Sequence, residues 1–318
     1  MSPNVLVHGS GAIGAIYIYL LKKVNCTVTA VCRSNYDAVK ANGFTIHSDK
    51  FGKNIKVRPD HVVGSPAEAA ILGLGPFDFV VVSTKALPGQ KPSTPEIIRP
   101  AVIDRKPMSS WDDTTTIVLI QNGIGIEDEY AAAFPHNTII SCVVYLPTTQ
   151  VSPGHIEMGA IERLHIGPFP AVPSEGDEPT TLVEGCAYFH HLLDMTGSNI
   201  HSHHDIQAQR WSKLLVNASW NPICALSLSR DVAFLASGPL AEKLVQDVME
   251  EVVLIAQAKG YGHVVTSDLA KEQLQRALER KGTPGIEPSM LVDVLNGRRM
   301  EVEAILGNPV RIAKELGV

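Results

Sequence analysis

The chain has 318 residues, of which 45% are hydrophobic and 19% charged, and its formal net charge at pH 7 is -6. That composition is globular, well outside the disordered range, and the length suits two domains. The acidic balance argues against nucleic acid or an anionic membrane surface as the main partner, while leaving room for a local basic pocket.

In chain order, residues 4–8 form a short apolar run that stops at Gly9, and Ile13 to Lys23 follows with helix-like apolar character. Residues 27–32 are rich in β-branched residues and read as a second buried strand. Strand, helix and strand within about 30 residues suit a right-handed parallel crossover. Further buried strands are predicted at Phe77–Ser83 and Thr116–Ile120, as in a sheet covered on both faces. The proline-rich stretch from Pro88 to Thr115 reads as an extended surface loop with one short helix, and Pro168–Pro179 reads as another loop. Residues 138–170 predict β-hairpins, with a turn at Ser152-Pro153-Gly154. Beyond about residue 205 the spacing becomes helical, over Ile206–Ala218, Ala241–Lys259, Ser267–Lys281 and Ser289–Val294. The expected fold is therefore α/β: an N-terminal Rossmann-type dinucleotide-binding domain (1–204) followed by an all-α C-terminal domain (205–318).

The five cysteines, at 26, 32, 142, 186 and 224, contain no CxxC pair, so a reducing compartment is expected rather than a disulfide framework. The apolar runs fall short of the ~20 residues a membrane helix needs. The first of them begins by Asn4, which leaves no room for a signal or transit peptide. A cytoplasmic protein is expected. The histidines at 190, 191, 201, 203 and 204 sit in and near a probable linker, and no metal is expected there.

Gly9-Ser10-Gly11-Ala12-Ile13-Gly14 lies between the first strand and the first helix. The first glycine permits a tight turn, the second lets backbone approach a pyrophosphate, and the third allows close helix–strand packing. The helix start then offers free N–H groups to phosphate. At the end of the second strand, NAD-binding chains commonly carry an acid for the ribose 2′-hydroxyl. Here Cys32-Arg33-Ser34 stands instead. Arg33 can meet a 2′-phosphate and Ser34 can donate to it, so NADP(H) is the expected cofactor. Lys85 and Asn122-Gly123 follow later strands, at the carboxyl edge where ligands bind in such sheets.

In the second half, Lys213, Asn217 and Asn221 are spaced i, i+4, i+8 within an otherwise apolar run. On a helix they form one polar stripe, suited to an anionic, oxygen-rich ligand. Pro222 is expected to kink or end that helix near Asn221.

The motifs Gly9–Gly14, Ser83-Thr84-Lys85-Ala86, Gln121-Asn122-Gly123-Ile124-Gly125, Trp211–Pro222, and Ser289-Met290-Leu291 with Glu301 together resemble the ketopantoate reductase (2-dehydropantoate 2-reductase) family. They keep the family's order over nearly the whole chain, and Trp211-x-Lys213-Leu214-x-x-Asn217 is the most specific piece. The resemblance implies NADPH-dependent reduction of a small 2-oxo acid, ketopantoate to pantoate, in pantothenate biosynthesis. It implies that Lys213 is the catalytic general acid and that Glu301 lies near the nicotinamide end and the substrate. Asn217, Asn221 and Ser289 match substrate-binding positions. Asn122 matches a contact to both cofactor and substrate, and Arg33 and Lys85 match cofactor contacts.

Three departures accompany the resemblance. Ser229-Arg230-Asp231-Val232 stands where the family often has Asn-Gly, and an Arg–Asp pair there would change which acid is accepted. The two loops are long. Family members continue beyond the position of Val318 into a final helix, so either this protein lacks that helix or its sequence runs on past Val318; loss of the helix would expose apolar surface for a partner subunit, as in a homodimer. The alternatives are a paralogue that reduces another 2-oxo acid or carbonyl compound, and a non-enzymatic NADP-binding sensor.

Overall fold

A computed structural model describes residues 2–105, 113–172 and 181–318. Parts of both predicted long loops, 106–112 and 173–180, lie outside the described residues. The chain forms two compact units, one of residues 1–84, 89–121 and 127–206, the other of 85–88, 122–126 and 207–318.

The first unit opens with β1 (Asn4–His8), α1 (Ala12–Lys23) and β2 (Thr27–Val31). β1 and β2 pair in parallel, and four residues of each strand are buried in sequence, as expected of strands covered on both faces. Lys22 and Lys23 occupy the last turn of α1, where cations complement the helix dipole. Next come α2 (Tyr36–Asn42), β3 (Phe44–Ser48), β4 (Gly52–Val57), β5 (His61–Val63), α3 (Pro66–Ile71) and β6 (Phe79–Val82). The proline-rich stretch holds α4 (Thr94–Ile98), whose N-terminus carries a reciprocal Ser93–Glu96 capping box. β7 (Thr116–Leu119), α5 (Asp128–Ala133), β8 (Ile139–Tyr145), β9 (Thr148–Ser152), β10 (His155–Met158), β11 (Arg163–Phe169), α6 (Thr181–Asp194) and β12 (Ile200–Ser202) complete the unit.

The main sheet has the order β12-β11-β8-β7-β6-β1-β2-β5. From β5 to β8 every pairing is parallel, and β11 adds antiparallel to β8. Strand order reverses between β1 and β6, the switch point where doubly wound sheets open a crevice at their carboxyl ends. The predicted hairpin at 152–154 is present, but it joins β9 and β10 in a separate four-stranded sheet, β4-β3-β10-β9. Tyr17, Phe44, Phe79, Ile156 and Phe189 belong to one continuous core.

The second unit is helical: α7 (Gln207–Ser227), α8 (Asp231–Leu235), α9 (Pro239–Ala258), α10 (Ser267–Leu278), α11 (Ser289–Leu295) and α12 (Asn308–Leu316). A π-helical turn over Glu303–Gly307 runs directly into α12. Trp211, Leu214, Leu215 and Ala218 recur at helical spacing along α7 and pack with Val245, Met249 and Val253 of α9. Pro222 does not end α7 near Asn221, because the helix continues to Ser227 with the proline inside it. Proline lacks a helix donor, but Trp220, Cys224 and Ala225 on either side are buried in the core, and that packing outweighs the local penalty. All five cysteines are free and buried. Among the described residues, no helix is long and apolar enough to cross a membrane.

Two glycines of the first turn separate packing from access. A Cβ on Gly14 would overlap the carbonyl oxygen of Gly9, whereas one on Gly11 would meet nothing. We expect Gly14→Ala to destabilise the protein by about 1–3 kcal/mol, as overpacking does. Gly11→Ala should stay within about 0.5 kcal/mol of the parent. Urea unfolding of both variants checks the contrast, and equal losses would contradict it.

Candidate active site

In the first unit the glycine turn is braced from three sides. Ser83 Oγ donates to Gly9 O at 2.9 Å, tying the end of β6 to the turn. Gly9 has φ +104°, and a Cβ there would collide with the Thr84 amide nitrogen at 2.6 Å, so only glycine fits. Asn35, buried beyond the end of β2, donates from Nδ2 to Ser10 O at 2.7 Å. Ser10 is itself buried, with its hydroxyl donating to Val7 O and its N–H to Val31 O. Both of its donors are used inside the turn.

The helix start is different. α1 has no side-chain cap, so Ala12 and Ile13 at its first two positions present N–H groups without intrahelical partners. Beside them, the Gly11 Cα faces open space. That combination of bare amides, a dipole end and an open glycine fits a phosphate group. Arg33 and Ser34 are both exposed. Arg33 bears electrostatically on His8, the last residue of β1. Burial first, and then the Arg33 charge, pull the His8 pKa down to about 4. The imidazole is therefore neutral at pH 7.

In the second unit, two short segments that follow β6 and β7 in the chain are gripped by the helices. Lys85 Nζ pairs with the buried Asp293 carboxylate of α11 and donates to Arg299 O at 3.0 Å. The Ala86 N–H donates to Glu301 Oε1 at 2.8 Å. The Ile124 N–H donates to Ala304 O in the π-helical turn at 2.9 Å, and Asn308 Nδ2 donates to Ile124 O at 2.6 Å. Gly123 has φ +104°, and a Cβ on it would stand 2.6 Å from Ala304 O. Arg210 of α7, 3% exposed, donates from Nη1 to Gly123 O at 2.9 Å.

Lys213 meets these segments. Its Nζ donates to Asn122 Oδ1 at 2.8 Å, and Asn122 also hydrogen-bonds Glu301. Burial pulls the Lys213 pKa down to about 8, the Arg210 charge acts in the same direction, and Glu301 opposes both. Burial raises the pKa of Glu301, against the stabilising hydrogen bond from Ala86 N–H and the charge of Lys85. The site thus holds an acid and a base with shifted pKa values joined through one amide, a common feature of reaction centres.

The rest of the predicted stripe divides in two. Asn221, 3% exposed, accepts from Ser289 Oγ at 3.0 Å and from the Met290 N–H at 2.9 Å, which fixes the start of α11. Asn217 is half-buried one turn earlier. Arg230 and Asp231 each pair with a residue farther along the chain. Asp231 is buried against Arg280 and also accepts from the Ile286 N–H at 2.7 Å, while Arg230 pairs with Glu287 at 2.7 Å. Both side chains clamp the loop ahead of Ser289. Sequence reading passed over Asn35, Arg210 and Asp293. Each is a single polar residue without a motif of its own, and only Asp293, between Val292 and Val294, stood out as a polar position among apolar neighbours. Among the described residues, no cluster of His, Cys, Asp or Glu could hold a metal ion.

A doubly wound sheet with a phosphate-ready glycine turn, and a half-buried lysine on a helical unit, are the parts expected of a dinucleotide-dependent oxidoreductase. Two family models match, "Ketopantoate reductase PanE/ApbA" over residues 5–171 and its C-terminal counterpart over residues 205–318. An uncharacterized protein of Saccharomyces cerevisiae is 32% identical, over 99% of this chain and 89% of its own length. The crystal structure of 2-dehydropantoate 2-reductase from Methylococcus capsulatus is 33% identical with a TM-score of 0.78, covering 99% of this chain and 91% of that one. A D-mandelate dehydrogenase, solved with NADH and anilino(oxo)acetate, shares the fold at 19% identity and a TM-score of 0.76, over 99% of this chain and 93% of its own. The chain belongs to the ketopantoate reductase family.

Because Glu301 holds the Lys213 pKa up, Glu301→Gln should lower it further, by about one unit. The pH dependence of Lys213 acylation, followed by mass spectrometry of its peptide, checks this. An unchanged midpoint would mean that the two groups are not coupled.

Proposed function

We propose that the protein reduces ketopantoate to pantoate with NADPH, and that Lys213 is the proton donor. The observation that carries this reading is the Lys213 ammonium held 2.8 Å from Asn122 Oδ1 at a pKa near 8. When bound, NADPH supplies the hydride. As the 2-oxo carbon is reduced, its oxygen gains negative charge. Lys213 Nζ stabilises that charge and delivers the proton that makes the hydroxyl. A donor whose pKa lies near the working pH is strong enough to give its proton and still holds it beforehand. Asn122 orients Nζ, and Glu301 keeps Lys213 protonated before the transfer. After it, the neutral amine is the form that burial favours.

Asn217, Asn221 and Ser289 orient the substrate. The Ser289 hydroxyl donates to Asn221, which leaves its oxygen to accept from a substrate hydroxyl. On the cofactor side, the α1 amides take the pyrophosphate and Arg33 takes the 2′-phosphate. No acid ends β2, which supports NADP over NAD. In this reading the enzyme works in the cytoplasm and its product feeds pantothenate synthesis. The shared fold of D-mandelate dehydrogenase makes an aryl 2-oxo acid the comparison substrate.

NADPH oxidation with ketopantoate, pyruvate and an aryl 2-oxo acid tests the substrate, and ketopantoate should give the highest kcat/KM. Lys213→Ala should lower kcat by about 100-fold or more with NADPH affinity kept, and near-normal turnover would remove Lys213 from the chemistry. The donor works only when protonated, so kcat/KM should fall as pH rises through about 8, and a flat profile there would contradict the assignment. Separately, Arg33→Ala should weaken NADPH binding by about tenfold or more, as loss of a hydrogen bond between charged groups does, and leave NADH binding unchanged. Equal losses for both cofactors would refute the 2′-phosphate contact.

A further inference from the structure

We propose that Arg210 is a positioning residue for Lys213, gripping the 122–123 segment so that Asn122 meets the ammonium, and keeping a second positive charge beside it. The proposal rests on the reading of Lys213 as proton donor. Arg210 and Lys213 stand three residues apart on α7 and so share a face of the helix. Both reach consecutive residues of one segment. Arg210 Nη1 holds Gly123 O at 2.9 Å, and Lys213 Nζ holds Asn122 Oδ1 at 2.8 Å. The segment is fixed from its other side by the π-helical turn, through Ile124 N–H and Ala304 O. Asn122 therefore has little freedom to follow a lysine that moves.

A fully buried guanidinium is an expensive group to retain for packing alone, and 3% exposure leaves Arg210 little solvent. Arginine never gives up its proton at working pH, so its charge beside Lys213 is permanent. Among the charged groups that bear on Lys213 are Arg210 from its own helix and Glu301 from the segment ahead of the π-helical turn. Lys85 and Asp293 act on Glu301 in turn. Arg210 lowers the affinity of Lys213 for its proton and Glu301 raises it. Removing the Arg210 charge takes away one of the influences that oppose Glu301, burial being the other, and the lysine becomes a weaker acid.

Two variants separate charge from grip. Arg210→Gln removes the charge, whereas Arg210→Lys keeps it but lacks the planar fork that reaches Gly123 O. In Arg210→Gln the midpoint of Lys213 acylation in the cofactor-free protein should move up by about one pH unit, and the alkaline limb of kcat/KM should move with it. In Arg210→Lys the midpoint should stay with the parent, while kcat falls about tenfold and KM changes less than about twofold, the pattern of a lost transition-state alignment. A purely structural role would move thermal stability and leave the midpoint of a folded Arg210→Gln unchanged, which overturns the proposal. If Arg210→Gln does not fold, Arg210→Lys decides alone: full kcat, or a shifted midpoint, refutes it. Acylation reads Lys213 without turnover. If Lys213→Ala stays active while the midpoint shifts hold, the proton-donor reading falls and the Arg210–Lys213 coupling stands.

Discussion

A buried amine sheds its proton unless something nearby pays to keep it, and the Asn122–Lys213 hydrogen bond is where this protein meets that demand. Oδ1 of Asn122 gives the ammonium an acceptor without adding charge. Glu301, reached through the same amide, adds the charge. The contact exists because residue 123 is glycine. Its positive φ and missing Cβ let the 122–124 backbone lie against Ala304 O, where the Ile124 N–H finds its acceptor. A side chain at 123 would separate those backbones and draw Asn122 away from α7. The π-helical turn that supplies Ala304 belongs to a class of helix irregularity frequent at functional sites. Glu301 lies two residues before it.

The glycine turn of the first unit uses similar physics toward a different end. Gly9 and Gly14 are glycines because backbone from β6 and from the turn itself occupies the space a Cβ would need. Gly11 is free of that pressure, so nothing internal requires glycine there. An open glycine beside bare helix-start amides is what an external ligand needs from a backbone. Asn35, at the start of α2, and Ser83, just past β6, hold the turn from two sides, so its shape is set before any ligand arrives. Preorganisation of this kind reduces what binding must spend on ordering.

The strand–turn–helix start was legible because apolar period and glycine spacing point to the same element. The helices of the second unit were legible for the same reason, with Trp211, Leu214, Leu215 and Ala218 marking one face of α7. Of the small sheet, the β9–β10 hairpin was legible through its Ser152-Pro153-Gly154 turn, whereas β3 and β4 were not. β4 is mostly exposed, and its pairing with β3 rather than a buried pattern defines it. Pro222 did not end α7 for a related reason: a local rule gave way to the packing of its neighbours. At the site, Lys213, Asn217 and Asn221 were legible as a stripe, but Asn221 proved to be tied to the start of α11. Arg210 was illegible because its partner is a backbone carbonyl 87 residues away in the chain, and no spacing encodes that.

The stripe on α7 also bears on how a substrate would be read. Lys213 and Asn221 each have a protein partner already, so a ligand reaching them must share or replace an existing hydrogen bond. Asn217 lies between them, half-buried, and its amide makes no hydrogen bond among the described residues. An amide in that position loses water when a ligand arrives and regains its bonds only if the ligand supplies polar atoms at the right place. Such a site rejects an apolar analogue more sharply than it rewards a good fit, because the unpaired group is the larger loss. On the proposed reading, Lys213 provides the reaction and Asn217 the discrimination. The clamped loop ahead of Ser289 then sets the distance between that amide and the far end of the acid. Asp231 and Arg230 are paired to Arg280 and Glu287, so on the same reading they would act on specificity through the position of that loop.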